Sequence, residues 1–212
     1  MFKDIYNNVI TGEVDEVKRS IQKALDAGAS PAEIINQGLI RAMDEVGAKM
    51  KAGEMFVPEV LIAAEAMKEG LAMVKPLLEG ESFTIGKVVI GTVAGDLHDI
   101  GKNLVAMLLE SAGFAVVDLG VDVSTEAFLQ AVAEHRPQIV GLSALLTTTM
   151  VAMAETVKAL HEKWPQVKTM VGGAPVSDEF ARQIGAGGYA PDGASAVALA
   201  KRLLDEKGGG QP

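Results

Sequence analysis

From residue 87 onward the chain alternates short, wholly apolar runs with amphipathic stretches at helical spacing. The runs at 87–93, 115–119, 138–143, 168–172 and 187–190 read as strands, and the stretches at 101–112, 124–134, 150–163, 177–184 and 193–206 read as helices. Strands without polar alternation are buried on both faces, as in a parallel sheet covered by helices. Their crossovers are then right-handed. Five such units predict a doubly wound sheet in the order 2-1-3-4-5, whose ligand crevice opens at the carboxyl edge between the first and third strands.

The first eighty residues follow a different period. Phe2, Ile5, Tyr6, Val9 and Ile10 give a short amphipathic helix. Val14, Val17, Ile21, Ala24 and Leu25 give a second, ended by Gly28. Ser30-Pro31-Ala32-Glu33 is a capping box with proline at the first helical position, a strong start signal. Ile35, Leu39, Met43, Val46 and Met50 mark the helix that follows, closed by Gly53. Leu61, Ala64, Leu71, Val74 and Leu78 mark a fourth. The expected fold is an N-terminal antiparallel four-helix bundle followed by a flavodoxin-like (Rossmann-like) five-stranded parallel-sheet domain. Residues 79–86 break the period and read as a linker, with domains over 1–82 and 87–208, the linker proper at 83–86 and a disordered tail at 209–212.

Composition removes several functions. The net charge of −9 argues against wrapping nucleic acid, and 4% aromatic content argues against base-stacking platforms. No apolar run is long enough to span a bilayer, and the amino terminus lacks a secretion signal. The absence of cysteine rules out thiolate metal sites and fits a reducing, cytoplasmic setting.

Chemistry concentrates after the first strand, in Gly91-Thr-Val-Ala-Gly95-Asp96-Leu97-His98-Asp99-Ile100-Gly101. Of the three histidines, His135 and His161 fall near predicted helix ends, where imidazoles are commonly dipole-matched surface groups. His98 alone lies in a strand-to-helix turn, with Asp96 two residues away. The crevice rule brings this turn together with Gly141-Leu-Ser143-Ala-Leu145-Leu-Thr147-Thr148-Thr149 and with Gly172-Gly173. Each piece also has an ordinary reading. Paired glycines are common turn chemistry, Thr149 could cap a helix, and Asp96 could be a cap or dipole partner. Zinc would need three or four protein ligands, whereas a metal already held in a macrocycle needs one. An imidazole backed by a carboxylate is the usual arrangement for tuning a metal ligand. The residues point to a metallomacrocycle without selecting which.

Asp96-x-His98-x-x-Gly101, Ser143-x-Leu145 and Gly172-Gly173 resemble, in order and at the expected strand ends, the DxHxxG…SxL…GG signature of cobalamin-binding domains. Gly53-Glu-Met-Phe-Val-Pro58-Glu-Val-Leu resembles the helical cap that precedes that domain in methionine synthase. The two together are similar to the stand-alone corrinoid proteins of methyltransferase systems.

The resemblance implies cobalamin or a related corrinoid as cofactor, with His98 as the lower axial ligand to cobalt. It implies that Asp96 bonds the other imidazole nitrogen and that Thr149 bonds Asp96, a relay that tunes the ligand. Gly95, Leu97, Asp99, Ile100 and Gly101 would line the site. Ser143, Leu145 and Thr147 would meet the nucleotide tail, Gly172 and Gly173 would let it pass, and Tyr189, Ala190 and Asp192 would close its pocket. Met50, Val57 and Val60 would cover the opposite face of the ring, although their period alone reads as bundle core. Two departures stand out: Gly187-Gly188 where relatives often carry an acid, and Met50 where the methionine synthase cap carries an aromatic. The implied role is a methyl carrier, not catalytic alone. Its implied partners are a substrate:corrinoid methyltransferase, a corrinoid:tetrahydrofolate or coenzyme M methyltransferase, and a reductive activase, with the 79–86 linker as the hinge. A cobalamin-dependent sensor and a flavodoxin-like redox domain are the alternatives.

Overall fold

The structure, a computed structural model, describes residues 1–78 and 84–205. The chain divides into two compact units, one of Met1–Thr84 with the short stretch Ser111–Gly113, the other of the remainder. Of the expected linker, 79–83 lie outside the described residues, as does the expected tail at 209–212. Gly86 already belongs to the first strand.

The first unit is built from α1 (Phe2–Thr11), α2 (Val14–Asp26), a long third helix and α5 (Val57–Val74). The third helix starts as α3 (Pro31–Glu33), passes through a π-helical segment (Ile34–Ile40) and continues as α4 (Arg41–Ala52). Its start is the capping box read from the sequence: Ser30 Oγ accepts from the Glu33 N–H at 3.2 Å, and Glu33 accepts from the Ser30 N–H at 3.0 Å. Gly12 and Gly53 end α1 and α4 in the left-handed conformation, which glycine adopts without a Cβ penalty. The π segment departs from the plain helix the spacing predicts. Its wider turn keeps Ile34, Ile35, Gly38 and Leu39 buried and carries that face on to Ala42, Met43 and Val46. At Gly38 a Cβ would lie 2.8 Å from Ile5 Cγ2, so α1 rests on this turn.

α5 differs from expectation in phase. Its buried face is Val60, Ala63, Ala64, Ala66, Met67, Gly70 and Val74, whereas Leu61, expected inside, is 38% exposed. Small residues explain the choice. A Cβ on Gly70 would lie 2.9 Å from Leu39, 3.0 Å from Val17 and 3.1 Å from Ile21, so three helices converge on the bare position. Close packing outweighs the larger transfer energy of leucine when the facing helices already fill the space.

The second unit runs β1 (Gly86–Thr92), α6 (Ile100–Ser111), β2 (Phe114–Asp118), α7 (Thr125–His135), β3 (Ile139–Ser143), α8 (Met150–Lys163), β4 (Lys168–Gly172), α9 (Asp178–Gln183), β5 (Gly188–Tyr189) and α10 (Gly193–Asp205). All strand pairs are parallel, in the expected order β2-β1-β3-β4-β5. Val89, Val140, Leu142 and Val171 of the sheet pack with Phe128, Met153, Val157 and Leu160 of the helices. Phe128 is fully buried over Gly91, where a Cβ would come within 2.8 Å of its ring. The register places Thr92, Ser143 and Gly172 side by side at the carboxyl edge. Among the described residues no helix is long and apolar enough to cross a membrane.

Two helical glycines of the first unit separate propensity from packing. Gly47 has open space where a Cβ would stand, and its φ is not positive. Gly47→Ala should stabilise the chain by about 0.5–1 kcal/mol. Gly70→Ala makes the same propensity gain but meets three side chains, and should destabilise by about 1–3 kcal/mol. Urea unfolding midpoints of the two variants check this; two shifts of the same sign would contradict the packing account.

Candidate functional site

β1 leaves the sheet at Thr92, Val93 bridges to Val123, and Gly95 turns the chain with φ 80°. The next residue, Asp96, has no exposed surface. Its Oδ1 accepts from the His98 N–H at 3.1 Å and lies 2.7 Å from His98 Nδ1. Its Oδ2 accepts from the Leu145 N–H at 2.7 Å and from the Thr149 hydroxyl at 2.8 Å. Burial pushes this carboxyl upward, because desolvation disfavours charge. The bonds from the Leu145 N–H, the His98 ring, Thr149 and the His98 N–H outweigh it and hold Asp96 well below the usual carboxylate range. Asp96 is therefore ionised at neutral pH and can only accept. The proton of neutral His98 sits on Nδ1, and the lone pair sits on Nε2. The side chain of His98 is 51% exposed although its partner is buried. A ring held at one nitrogen and open at the other is a preorganised donor.

The geometry decides between the readings left open by the sequence. Thr149 occupies the position before α8, yet its side chain makes no capping bond there. Its hydroxyl proton has two acceptors in reach, Asp96 Oδ2 and the Leu146 carbonyl at 2.9 Å. Asp96 spends its oxygens on Leu145, Thr149 and His98 rather than on the amide groups of α6. The His98 carbonyl is itself held by Thr92 Oγ1 at 2.9 Å.

The other expected residues divide into two groups. Gly95, Leu97, Asp99, Ile100, Gly101, Ser143, Leu145 and Thr147 all lie at the carboxyl edge with His98. Ser143 is partly exposed and Thr147 exposed, and neither hydroxyl bonds to protein among the described residues. Leu97 and Ile100 are 72% and 85% exposed, and Leu145, Leu146 and Val151 are exposed as well. Large apolar side chains gathered at one rim mark a binding surface. Gly172, Gly173, Tyr189, Ala190 and Asp192 have uses within the fold itself. A Cβ on Gly173 would lie 1.8 Å from the Ala144 carbonyl oxygen, at φ 125°, and one on Gly172 would lie 2.9 Å from the Ala190 carbonyl oxygen. Ala190 donates its N–H to Val171, Tyr189 pairs with Val171 in the sheet, and Asp192 accepts from the Ser195 N–H at the start of α10. Met50, Val57 and Val60 belong to the helical unit: Val60 is buried in its core, Met50 is partly exposed and Val57 is exposed.

Three contributors were not singled out from the sequence. The Leu145 N–H reaches Asp96 as a backbone group, which no side-chain pattern reveals. Asp122, at φ 52°, accepts from the Gly95 N–H at 2.7 Å and donates its own N–H to the Asp96 carbonyl at 2.9 Å. Lys102, in the first turn of α6, is buried against Asp118 at 2.5 Å. A lysine in a first turn opposes the helix dipole, and that was the readable signal.

The donor set fits a metal that arrives with its own ring. Among the described residues no group of three or more histidine, cysteine or acidic side chains could hold a bare ion. One presented imidazole nitrogen, an apolar rim and two hydroxyls without protein partners suit a flat macrocycle with a polar appendage.

Comparison with known proteins agrees. Residues 86–199 match the model of the B12 binding domain, and residues 1–75 match a second model of the same description. The trimethylamine corrinoid protein of Methanosarcina barkeri is 46% identical over 202 residues, covering 92% of this chain and 93% of that protein. A corrinoid protein of Desulfitobacterium hafniense is 41% identical over 212 residues, covering 96% and 97%. Among solved structures, a chain of the methanol:cobalamin methyltransferase complex of M. barkeri superposes with a TM-score of 0.87 at 35% identity, over 97% of this chain and 80% of that one. A cobalamin-binding protein of D. hafniense gives 0.82 at 30% identity, over 96% and 98%. Matched along nearly its whole length, this chain belongs to the family of corrinoid proteins that carry a B12-binding domain, with cobalamin or a related corrinoid as its cofactor.

Proposed function

We propose that this chain is the methyl-carrying corrinoid protein of a methyltransferase system. It receives a methyl group from one methyltransferase and delivers it to a second, whose acceptor is tetrahydrofolate or coenzyme M. The observation that carries the reading is the half-exposed His98 ring, locked at Nδ1 by a buried, ionised Asp96, in a chain 46% identical to a trimethylamine corrinoid protein. The methanol:cobalamin methyltransferase complex supports a methyltransferase as the partner. A reductive activase completes the system.

The bound corrinoid supplies a cobalt centre that can take up a methyl group and give it up again. The protein's part would be to present an imidazole to it. His98 Nε2 would be the protein's ligand to the cobalt, and Asp96 would strengthen it as a donor by holding the Nδ1 proton. Asp96 Oδ1, 2.7 Å from Nδ1, would hold the ring in one orientation with Nε2 turned to the cofactor. Thr149 keeps the second carboxylate oxygen engaged throughout, so Asp96 does not swing with the ring. Ser143 and Thr147 offer hydroxyls to the polar tail of the cofactor, and the exposed leucines and Ile100 receive its apolar edge.

Reconstitution with hydroxocobalamin tests the ligand. His98→Ala should retain the corrinoid but lose the imidazole-ligated cobalt(III) spectrum; an unchanged spectrum would refute the assignment. Methyl transfer from a methylamine with the cognate methyltransferase added, and none without it, tests the carrier role.

Asp96 also sets an acid limit. A carboxylate held below its ordinary pKa contributes stability in full above that ordinary value, about 3.9, and loses it as the pH falls toward the folded value. Asp96→Asn should therefore cost about 2 kcal/mol or more at pH 7. The difference between variant and wild type should shrink below about pH 4. Urea melts of the apoprotein from pH 3 to pH 7 check this; a gap that stays constant with pH would show that the charge of Asp96 contributes nothing.

A further inference from the structure

Lys102 lies where a cation is disfavoured twice. It is the third residue of α6, so it opposes the positive end of the helix dipole, and only 3% of it is exposed. Its ammonium donates to Asp118 Oδ2 at 2.5 Å, at the carboxyl end of β2, and to Asn103 Oδ1 at 2.6 Å. Asn103 in turn donates through Nδ2 to Asp99 Oδ2 at 3.1 Å and through its backbone N–H to the Asp99 carbonyl at 2.7 Å. A continuous network thus runs from the residue after His98, through the first turn of α6, to the exit of β2.

The same exit holds the other end of the histidine segment. Asp118 Oδ1 accepts from the Gly120 N–H at 2.9 Å, and the Gly120 carbonyl accepts from the Thr92 N–H at 3.0 Å. Asp122 takes the Gly95 N–H and gives its own N–H to the Asp96 carbonyl. Residues 118–122 therefore bracket the segment 92–103 on the β2 side, while Leu145 and Thr149 hold Asp96 on the β3 side.

We infer that the Lys102–Asp118 pair, buried at the lysine and 38% exposed at the aspartate, is a positioning device for His98. By tying the start of α6 to the end of β2, it fixes the backbone of 95–99 and with it the place from which the imidazole is presented. This rests on the reading of His98 as the axial ligand. The competing account is an ion pair that merely helps the fold. A half-buried pair of that kind can be replaced by uncharged residues of similar size with little loss of stability, whereas one that specifies a geometry cannot be so replaced without losing it.

The full-length double variant Lys102→Met/Asp118→Leu separates the two. The inference expects the apoprotein to unfold near the wild-type urea midpoint, with amide exchange at 97–101 at least tenfold faster. Loaded with hydroxocobalamin, it should show a smaller imidazole-ligated fraction at pH 7. Wild-type exchange and a wild-type ligated fraction in a stably folded double variant would overturn it. If the double variant does not fold, Asp118→Asn, which keeps the shape and removes the charge, is read in the same way: faster exchange at 97–101 with retained exchange protection in β1 and β3 supports the inference, and unchanged exchange at 97–101 overturns it. His98→Ala is run alongside. If its spectrum matches wild type, the ligand reading has failed, and the exchange data still report whether Lys102 fixes the segment.

Discussion

The bond between Asp96 Oδ1 and His98 Nδ1 is the interaction on which the site depends, and its strength is made elsewhere. An isolated carboxylate removed from water would take up a proton, and a protonated Asp96 could not fix the tautomer of the ring. What keeps it ionised is the supply of donors to both oxygens. Two come from the adjacent chain at His98, and two come across the crevice from Leu145 and Thr149. The latter exist only because β1 and β3 are neighbours although α6, β2 and α7 intervene in the chain. The reversal of strand order is thus a chemical requirement as well as a topological one: without it the aspartate would lose half its partners.

This explains how much of the site could be read from the sequence. The strand order followed from buried apolar runs, and it alone brings residues 96–101, 143–149 and 172–173 to one edge. The resemblance implied that Asp96 bonds His98 and Thr149, and those groups lie 2.7 and 2.8 Å from it. Side-chain periodicity was less informative in the helical unit, where Leu61 faces out and Ala63 faces in because contact at Gly70 sets the rotation of α5. The π segment was equally illegible, since a 3.6-residue pattern tolerates one wide turn without losing its apolar face. Backbone donors are silent in sequence altogether, which is why Leu145 was noticed for its side chain and not for its N–H.

The glycines show a second boundary between fold and function. Gly172 and Gly173 read as clearance for a ligand, yet the protein needs them for itself, because β-carbons there would strike the Ala190 and Ala144 carbonyl groups. Gly101 is the opposite case: a Cβ would meet nothing within 4 Å, and its φ is unstrained. Of the glycines in the matched motifs, it is the one whose smallness the chain does not explain. A glycine in an open first turn beside His98 costs helix propensity with no packing return among the described residues.

The charges around His98 complete the argument. Asp96 and Lys102 are both buried, of opposite sign and within one short segment, yet they are satisfied by different strands: Asp96 by the loop after β3, Lys102 by the end of β2. Had they paired with each other, the segment would be neutral and self-contained, free to shift as a unit. Dividing the partners makes any displacement of residues 95–103 toward β2 stretch the bonds to Leu145 and Thr149, and any displacement toward β3 stretch the bond to Asp118. The segment is held by opposed electrostatic tethers, and the half-exposed imidazole, itself bonded to Asp96, is presented from it.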